Sequence, residues 1–568
     1  MDGELQSTDI TAIARRANAS PFARFCRVAQ MPVPYLFVAA LTVGILTCVL
    51  RLWEADLNIP FCFAGDSLCA QAWMKSVQEH GWFLHNPSLG APWGSDLYDF
   101  PMTDNLHFGL VRALALFVRS PGLLFNLYVL VQFPLIACCT FFVLQRLEVS
   151  RGPAIVGGIL YAFLPFHMAR DFSHVFLASY YLVPFQVLLM VRLGQGSSFA
   201  WSGGRWRRTV GYVSLLVLCF LIAGAGVYYA FFGCILLLIS GCFATLQGRG
   251  WQGFARACTL CLVIAVSVLV HLTSQIDYVL KSGPNPQSIV RDPADAELYG
   301  LKIAHLLLPV TGHRAQQLAD MKARYLAGSR LNNENSDASL GFLASAGFLF
   351  LLFHALRRRA STGNARRLAL DTLAIVNLAA ILLATIGGFG VLLSLFVTSM
   401  IRAYNRVCVF IAFFALAGAA IAFDPLARRL TANRWTMLAF VPGLGLLLAL
   451  GVWDQTSPVY VPDYTDLAAQ HERDAAFFGQ VEEDLPPGSM VFQLPYIFFP
   501  EAPPFGKCRN YDHLKPYLLS HSLRWSFGTF RGRPADTFMR MLSSFRPEQM
   551  MRVLVLLGYE GLDRKSVV

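Results

Sequence analysis

Eleven apolar runs divide this chain, and no other feature restricts its possible folds as strongly. The first is "VPYLFVAALTVGILTCVL", from Val33 to Leu50. Runs of this kind are long enough to cross a hydrocarbon core of about 30 Å. The expected spans lie near 33–52, 122–145, 153–168, 175–193, 211–224, 227–246, 255–273, 340–356, 369–388, 406–423 and 435–453. A run at 391–400, "VLLSLFVTSM", is too short to cross and reads as a half-helix after the break at "GGFG", to be shielded by protein. Composition agrees: 55% of residues are hydrophobic and 14% charged, against about 25% charged in soluble proteins.

The formal charge of +11 is concentrated in short connectors. Arg205, Arg207 and Arg208 form one cluster, Arg357, Arg358, Arg359, Arg366 and Arg367 a second, and Arg428, Arg429 and Arg434 a third. Such connectors mark the cytoplasmic side, so the basicity is topological and nucleic acid is excluded as a partner. The polar segment 1–32, with Arg15, Arg16, Arg24 and Arg27, then lies inside, and Val33–Leu50 acts as a signal anchor without a cleavage site. The membrane domain is expected over 33–453. Two large loops, 53–121 and 274–339, and a C-terminal α/β portion at 454–568 fall outside. In that portion "SMVFQLPY" reads as a strand. "VLVLLGYEG" reads as another, and the chain stops shortly after it, as a truncated or chimeric terminus would. Most of the thirteen cysteines lie in apolar runs, while Cys62 and Cys69 flank Asp66 at a spacing that allows pairing in an oxidising compartment.

The chemistry concentrates in three places. In the first loop, Asp66-Ser67 stands at the N-cap of a helix, "SLCAQAWMKSVQEH", ending at Gly81. A capping carboxylate there suits the free N–H groups and the dipole and is still able to face a cavity. Asp96, Asp99 and Asp104 follow; such carboxylates hold a divalent ion or make turns and caps. The turn "PFHMARDFSHVF" brings His167, Arg170, Asp171 and His174 within eight residues, as a metal or phosphate site or as a solvated connector. "IRAYNRV" places Arg402 and Arg406 four residues apart, hence on one helical face, beside Tyr404; snorkelling is the commoner use of such arginines. His305, His313, Arg314 and Glu334 in the second loop are further candidate contacts.

The unit "GDSLCAQAWMKSVQEHGWFLHNP" resembles the GT-C superfamily of multi-spanning glycosyltransferases, which includes protein O-mannosyltransferases and bacterial aminoarabinose transferases. In that resemblance Asp66 occupies the position of the catalytic base and "HGW" closes the helix. Ser67 stands where some members have a second acid. The resemblance implies a GT-C-like α-helical polytopic protein of a bacterial inner membrane with its active site on the periplasmic face. The implied reaction is inverting transfer of a sugar from a polyprenyl-phosphate carrier to a glycan, lipid or protein acceptor. On this reading Asp66 is the base, and Arg402, Arg406, Tyr404, His174 and Arg170 hold phosphate or substrate. Asp99, Asp104 and Asp171 are the ligands of a divalent cation, Mg or Mn, where one is used. Membrane lipids are the remaining partners. Two rival classes are a transporter or flippase of lipid-linked sugar, which calls for repeats and mid-span acids, and a silent envelope-assembly protein.

Overall fold

The computed structural model describes residues 32–170, 172–197, 199, 204–357 and 364–565. Residues 1–31, Asp171, Arg358 and Arg359 lie outside the described residues. Among the described residues eight helices are long and apolar enough to cross a membrane: Val33–Leu50, Pro121–Arg146, Arg205–Ala223, Val227–Gly248, Gln252–His271, Ala365–Ala384, Tyr404–Ala432 and Arg434–Gln455. Outward faces such as Leu216, Leu262 and Leu446 are exposed apolar surface, as lipid contact requires. The chain is a multi-pass, predominantly helical membrane protein.

Three expected spans are shorter helices: Arg151–Ala162, Val183–Gly194 and Gly341–Leu356. The first two have 12 residues each, covering about 18 Å at 1.5 Å per residue. The break between them has a local cause. Pro165 lacks an N–H and starts a four-residue helix, Pro165–Met168, and Pro184 lies in the first turn of Val183–Gly194. Among the described residues after Met168 and before Val183 the backbone runs irregularly, with only Val175–Ala178 helical again. Arg170, Ser179 and Tyr180 in this stretch are buried in protein, the condition under which irregular backbone is tolerated at membrane depth. The half-helix expected at 391–400 is Phe389–Phe396.

Helix Cys408–Ala432 runs through the centre of the bundle, and its residues from Cys408 to Gly418 are all buried. Its approach to Gly341–Leu356 is so close that a Cβ on Gly347 would lie 2.2 Å from the Ala415 carbonyl oxygen. Without hydrophobic drive between helices in lipid, such backbone contact is where dispersion attraction is gained.

The C-terminal portion opens with helix Tyr464–Asp484 and holds a parallel sheet of strands β1 (Met490–Leu494), β2 (Arg524–Trp525) and β3 (Tyr559–Arg564), in the order β2-β1-β3. The strand expected at "SMVFQLPY" is β1. At "VLVLLGYEG" the apolar half closes a helix, Pro547–Leu556, and the strand begins only at Tyr559. The apolar residues there serve the buried face of an amphipathic helix, with Met550 and Leu554 inward, a pattern four residues apart that a short apolar run hides.

This lobe is built onto the first loop. Ala91 N–H donates to the Trp525 carbonyl (3.0 Å) and Trp525 N–H donates to the Ser88 carbonyl (2.9 Å), extending the edge at β2. Arg533 grips Asp99 with two bonds of 2.6 Å. Lys75, 1% exposed, donates to the carbonyls of Tyr517 and Ser520, each at 2.6 Å. Helix Asp66–His80 is thereby held between bundle and lobe.

Candidate functional site

Asp66 is the first residue of helix Asp66–His80, and Gly65 precedes it as the N-cap. The expected capping bond is not made. Oδ2 of Asp66 instead lies 3.1 Å from Nε2 of His174, with side chains 47% and 40% exposed respectively. The turn is held by neighbours: Ser67 Oγ and Gln71 Nε2 both donate to the Cys62 carbonyl, at 2.9 and 2.8 Å. That division of labour frees the Asp66 carboxylate while its charge still favours the positive helix end. The helix closes at His80 as expected, with Gly81 at φ 87° and its N–H on the Val77 carbonyl. No disulfide joins Cys62 and Cys69: Cys62 Sγ lies 3.7 Å from the Ala64 carbonyl, and Cys69 is a buried thiol.

His174 comes from the irregular stretch between the two short helices. Ser173 Oγ stands 3.1 Å from its Nδ1. A hydroxyl proton donated there leaves the proton on Nε2 to be donated to Asp66, so Ser173 sets the tautomer that pairs with the carboxylate.

Behind this pair lies a charge network centred on Glu334, in the short turn Glu334–Asp337 of the second loop. Arg406 and Arg170 each approach its carboxylate at 3.6 Å, and Asn405 donates to it at 3.3 Å. Arg170 is 2% exposed. It also donates to the Glu334 carbonyl (2.7 Å) and to Asp337 (3.4 Å), and lies over the Phe166 ring. Burial alone would raise the Glu334 pKa; Arg406, Arg170, Asn405 and His174 outweigh it and hold the carboxyl at about 2. His174 N–H donates to the Arg170 carbonyl at 2.8 Å, which ties the Asp66 pair to the arginine network through one backbone turn. Asp337 was absent from the sequence candidates, although a signal existed. A 3₁₀ turn has three residues per turn, so Glu334 and Asp337 share a face. Behind Asp337, Lys322 donates to the Ser336 carbonyl at 2.8 Å and stands 3.2 Å from His305 Nδ1. Burial lowers Lys322 to about 8 and His305 to about 4.

Arg402 and Arg406 do not share a helical face. Residues 404–407 form a 3₁₀ turn, the helix starts at Cys408, and Arg402 precedes both. Arg406 joins the Glu334 network and covers the Tyr228 ring. Arg402 lies over the Tyr299 ring and, among the described residues, forms no ion pair. Tyr404 is 1% exposed, packs on Phe232, and its hydroxyl has no partner among the described residues.

Two of the carboxylates expected to hold a metal, Asp99 and Asp104, stand in different surroundings. Asp99 is engaged by Arg533 and by Asn285 Nδ2 at 3.1 Å. Asp104 precedes helix Asn105–Ala115 without capping it, its Oδ1 3.4 Å from where Gly226 would carry a Cβ, and burial raises it to about 7. Asp96 pairs with His85 at 2.8 Å. Among the described residues no three His, Cys, Asp or Glu side chains are grouped to hold a metal ion; Asp171, the third expected ligand, lies outside them. His167 stacks on Phe133 in the core, His313 faces Asp454, and Arg314 bonds the Thr456 hydroxyl.

No family model matches the chain, and no curated protein matches it. Thirteen solved chains match it, among them the following, which align over most of its length. The apo oligosaccharyltransferase of Archaeoglobus fulgidus shows 13% identity and a TM-score of 0.47, over 92% of this chain and 69% of that one. ArnT from Cupriavidus metallidurans, bound to undecaprenyl phosphate, shows 14% identity and a TM-score of 0.45, over 94% of this chain and 90% of its own. The mycobacterial arabinofuranosyltransferase AftD shows 14% identity and 0.37, over 88% of this chain and 33% of that one. At these identities and scores the likenesses assign no residue a role.

Proposed function

We propose that this protein is a membrane glycosyltransferase of the GT-C type, moving a sugar from a polyprenyl-phosphate carrier to an acceptor at the outer face. The observation that carries this reading is the half-exposed Asp66 carboxylate, held by His174 and backed by the Glu334–arginine network. In the reaction Asp66 takes the proton of the acceptor hydroxyl. The acceptor oxygen then forms a bond to the anomeric carbon as the bond from that carbon to the carrier phosphate breaks, and the electron pair leaves with the phosphate. Attack opposite to departure inverts the anomeric centre. Positioned base catalysis of this kind contributes about 10²–10⁴-fold.

Cationic groups must meet the departing phosphate. Arg402, which forms no ion pair among the described residues, is the first candidate, with Arg406 second because Glu334 already balances it. Arg170 is committed to Glu334 and Asp337 and holds the network in place. No step is routed through a metal. The rival reading, a flippase of lipid-linked sugar, makes the opposite demand on the carbon–oxygen bond. Purified protein in proteoliposomes, given undecaprenyl-phosphate-linked sugars and scored by mass spectrometry, separates the two. Release of undecaprenyl phosphate supports transfer; movement of the intact conjugate between leaflets without release overturns it.

A further inference from the structure

At the opposite end of the bundle from Asp66, where Pro121–Arg146 ends and Arg151–Ala162 begins, the proposed function leaves an open cavity of about 500 Å³ unused. Its lining includes Glu148, Ser150, Arg151, Arg366 and Arg428. The core of the site is built rather than incidental. Asp424, fully buried, accepts from Arg366, from Arg428 Nε at 2.6 Å and from the Ser150 N–H at 2.6 Å. Both arginines also donate to the Glu148 carbonyl, at 3.1 and 2.6 Å. Two guanidiniums are thus fixed with N–H groups left toward the cavity. Arg151 is exposed at its rim with no ion pair among the described residues, and the buried Ser150 hydroxyl has no partner among them.

Three arginines around the one buried Asp424 carboxylate, with fixed donors and an unused hydroxyl, suit a phosphate group. Its source is indicated by the surroundings. Trp206, Trp251 and Trp435 stand 66–78% exposed at the starts of the helices on this same side. Tryptophans so placed mark the headgroup level of a bilayer. A second, apolar cavity of about 450 Å³ lies between the helices Cys408–Ala432 and Arg434–Gln455, lined by Phe423, Leu430, Phe440 and Leu447. It uses the same turns of helix Cys408–Ala432 that carry Asp424 and Arg428. Leu444 of its wall packs against Gly152, the residue after Arg151 of the arginine cavity. A phosphate receptor and an acyl groove therefore adjoin at headgroup depth, the arrangement by which basic pockets between membrane helices bind anionic lipids.

We propose that this cavity is a binding site for the phosphate headgroup of an anionic phospholipid, independent of the transferase site. The test is thermal unfolding of the purified full-length protein in detergent, with phosphatidylglycerol, phosphatidylcholine or inorganic phosphate added at equal phosphate concentration. Phosphatidylglycerol is expected to raise the midpoint by several degrees in a salt-sensitive manner, and the other two to leave it unchanged. Arg151→Gln and Ser150→Ala, which spare the Asp424 cage, are expected to at least halve that rise. Arg207→Gln, an exposed arginine on another helix of the same side, should keep it. Equal rises with phosphatidylcholine, a full rise with inorganic phosphate, or an unaltered rise in both cavity variants would each overturn the proposal.

Discussion

Glu334→Gln is the perturbation whose size follows most directly from the structure. The carboxyl falls from 4.5 to about 2 because Arg406, Arg170, Asn405 and His174 overcome its burial. That gap corresponds to roughly 3 kcal/mol of preference for the charged form, reduced to roughly 2 kcal/mol because the side chain keeps 20% exposure. The depressed carboxyl stabilises the fold fully above pH 4.5, and that contribution is lost as pH falls toward 2. Replacing it with an amide leaves Arg170 and Arg406 buried without their shared counter-charge, which adds to the cost. The variant is therefore expected to be roughly 2–4 kcal/mol less stable at pH 7, with the difference narrowing below pH 4.5. Reversible unfolding in mixed micelles titrated with dodecyl sulfate reads it. In Glu334→Gln/Arg406→Gln the two losses should fall short of additivity, because the second change removes a charge the first left unpaired. A Glu334→Gln protein within about 0.5 kcal/mol of the parent at pH 7, or strictly additive losses, would refute the reasoning.

Lys75→Met removes the charged donor that caps the Tyr517 and Ser520 carbonyls. A loss of roughly 2–4 kcal/mol and new proteolytic cleavage near residues 515–525 are expected, with the membrane helices intact. Asp104 has a pKa raised by burial from 3.8 to about 7, so ionisation opposes folding increasingly as pH rises from 3.8 through 7. Asp104→Asn should accordingly stabilise the protein at pH 8 and change little at pH 4, as read by thermal melts at the two values. Arg402→Gln should lower sugar release from the carrier without changing the melting midpoint.

The apolar runs made the bundle legible because lipid demands continuous hydrophobic length, and the helix from Asp66 to His80 was legible because Gly81 supplies its stop. The break around 163–182 was legible in part: the turn at "PFHMARDFSHVF" marked it, but the apolar pattern runs across Pro165 and Pro184 and hid how short the flanking helices are. Arg402 and Arg406 were misread because spacing implies a shared face only inside an α-helix, and the turn at 404–407 precedes it. Glu334 was visible as one acid in a polar loop. Its importance comes from Arg170 and Arg406, each more than seventy residues away, which no local pattern connects. The commitment of Asp99 to Arg533 is likewise a contact across 434 positions.

The base assignment rests on Asp66, and its removal is the most direct measurement. Asp66→Asn keeps the size of the side chain and its contact with His174. The initial rate of undecaprenyl phosphate release from the lipid-linked sugar should fall at least about 100-fold, with carrier binding and the melting midpoint unchanged. Release at the parent rate by a folded Asp66→Asn protein would contradict the account.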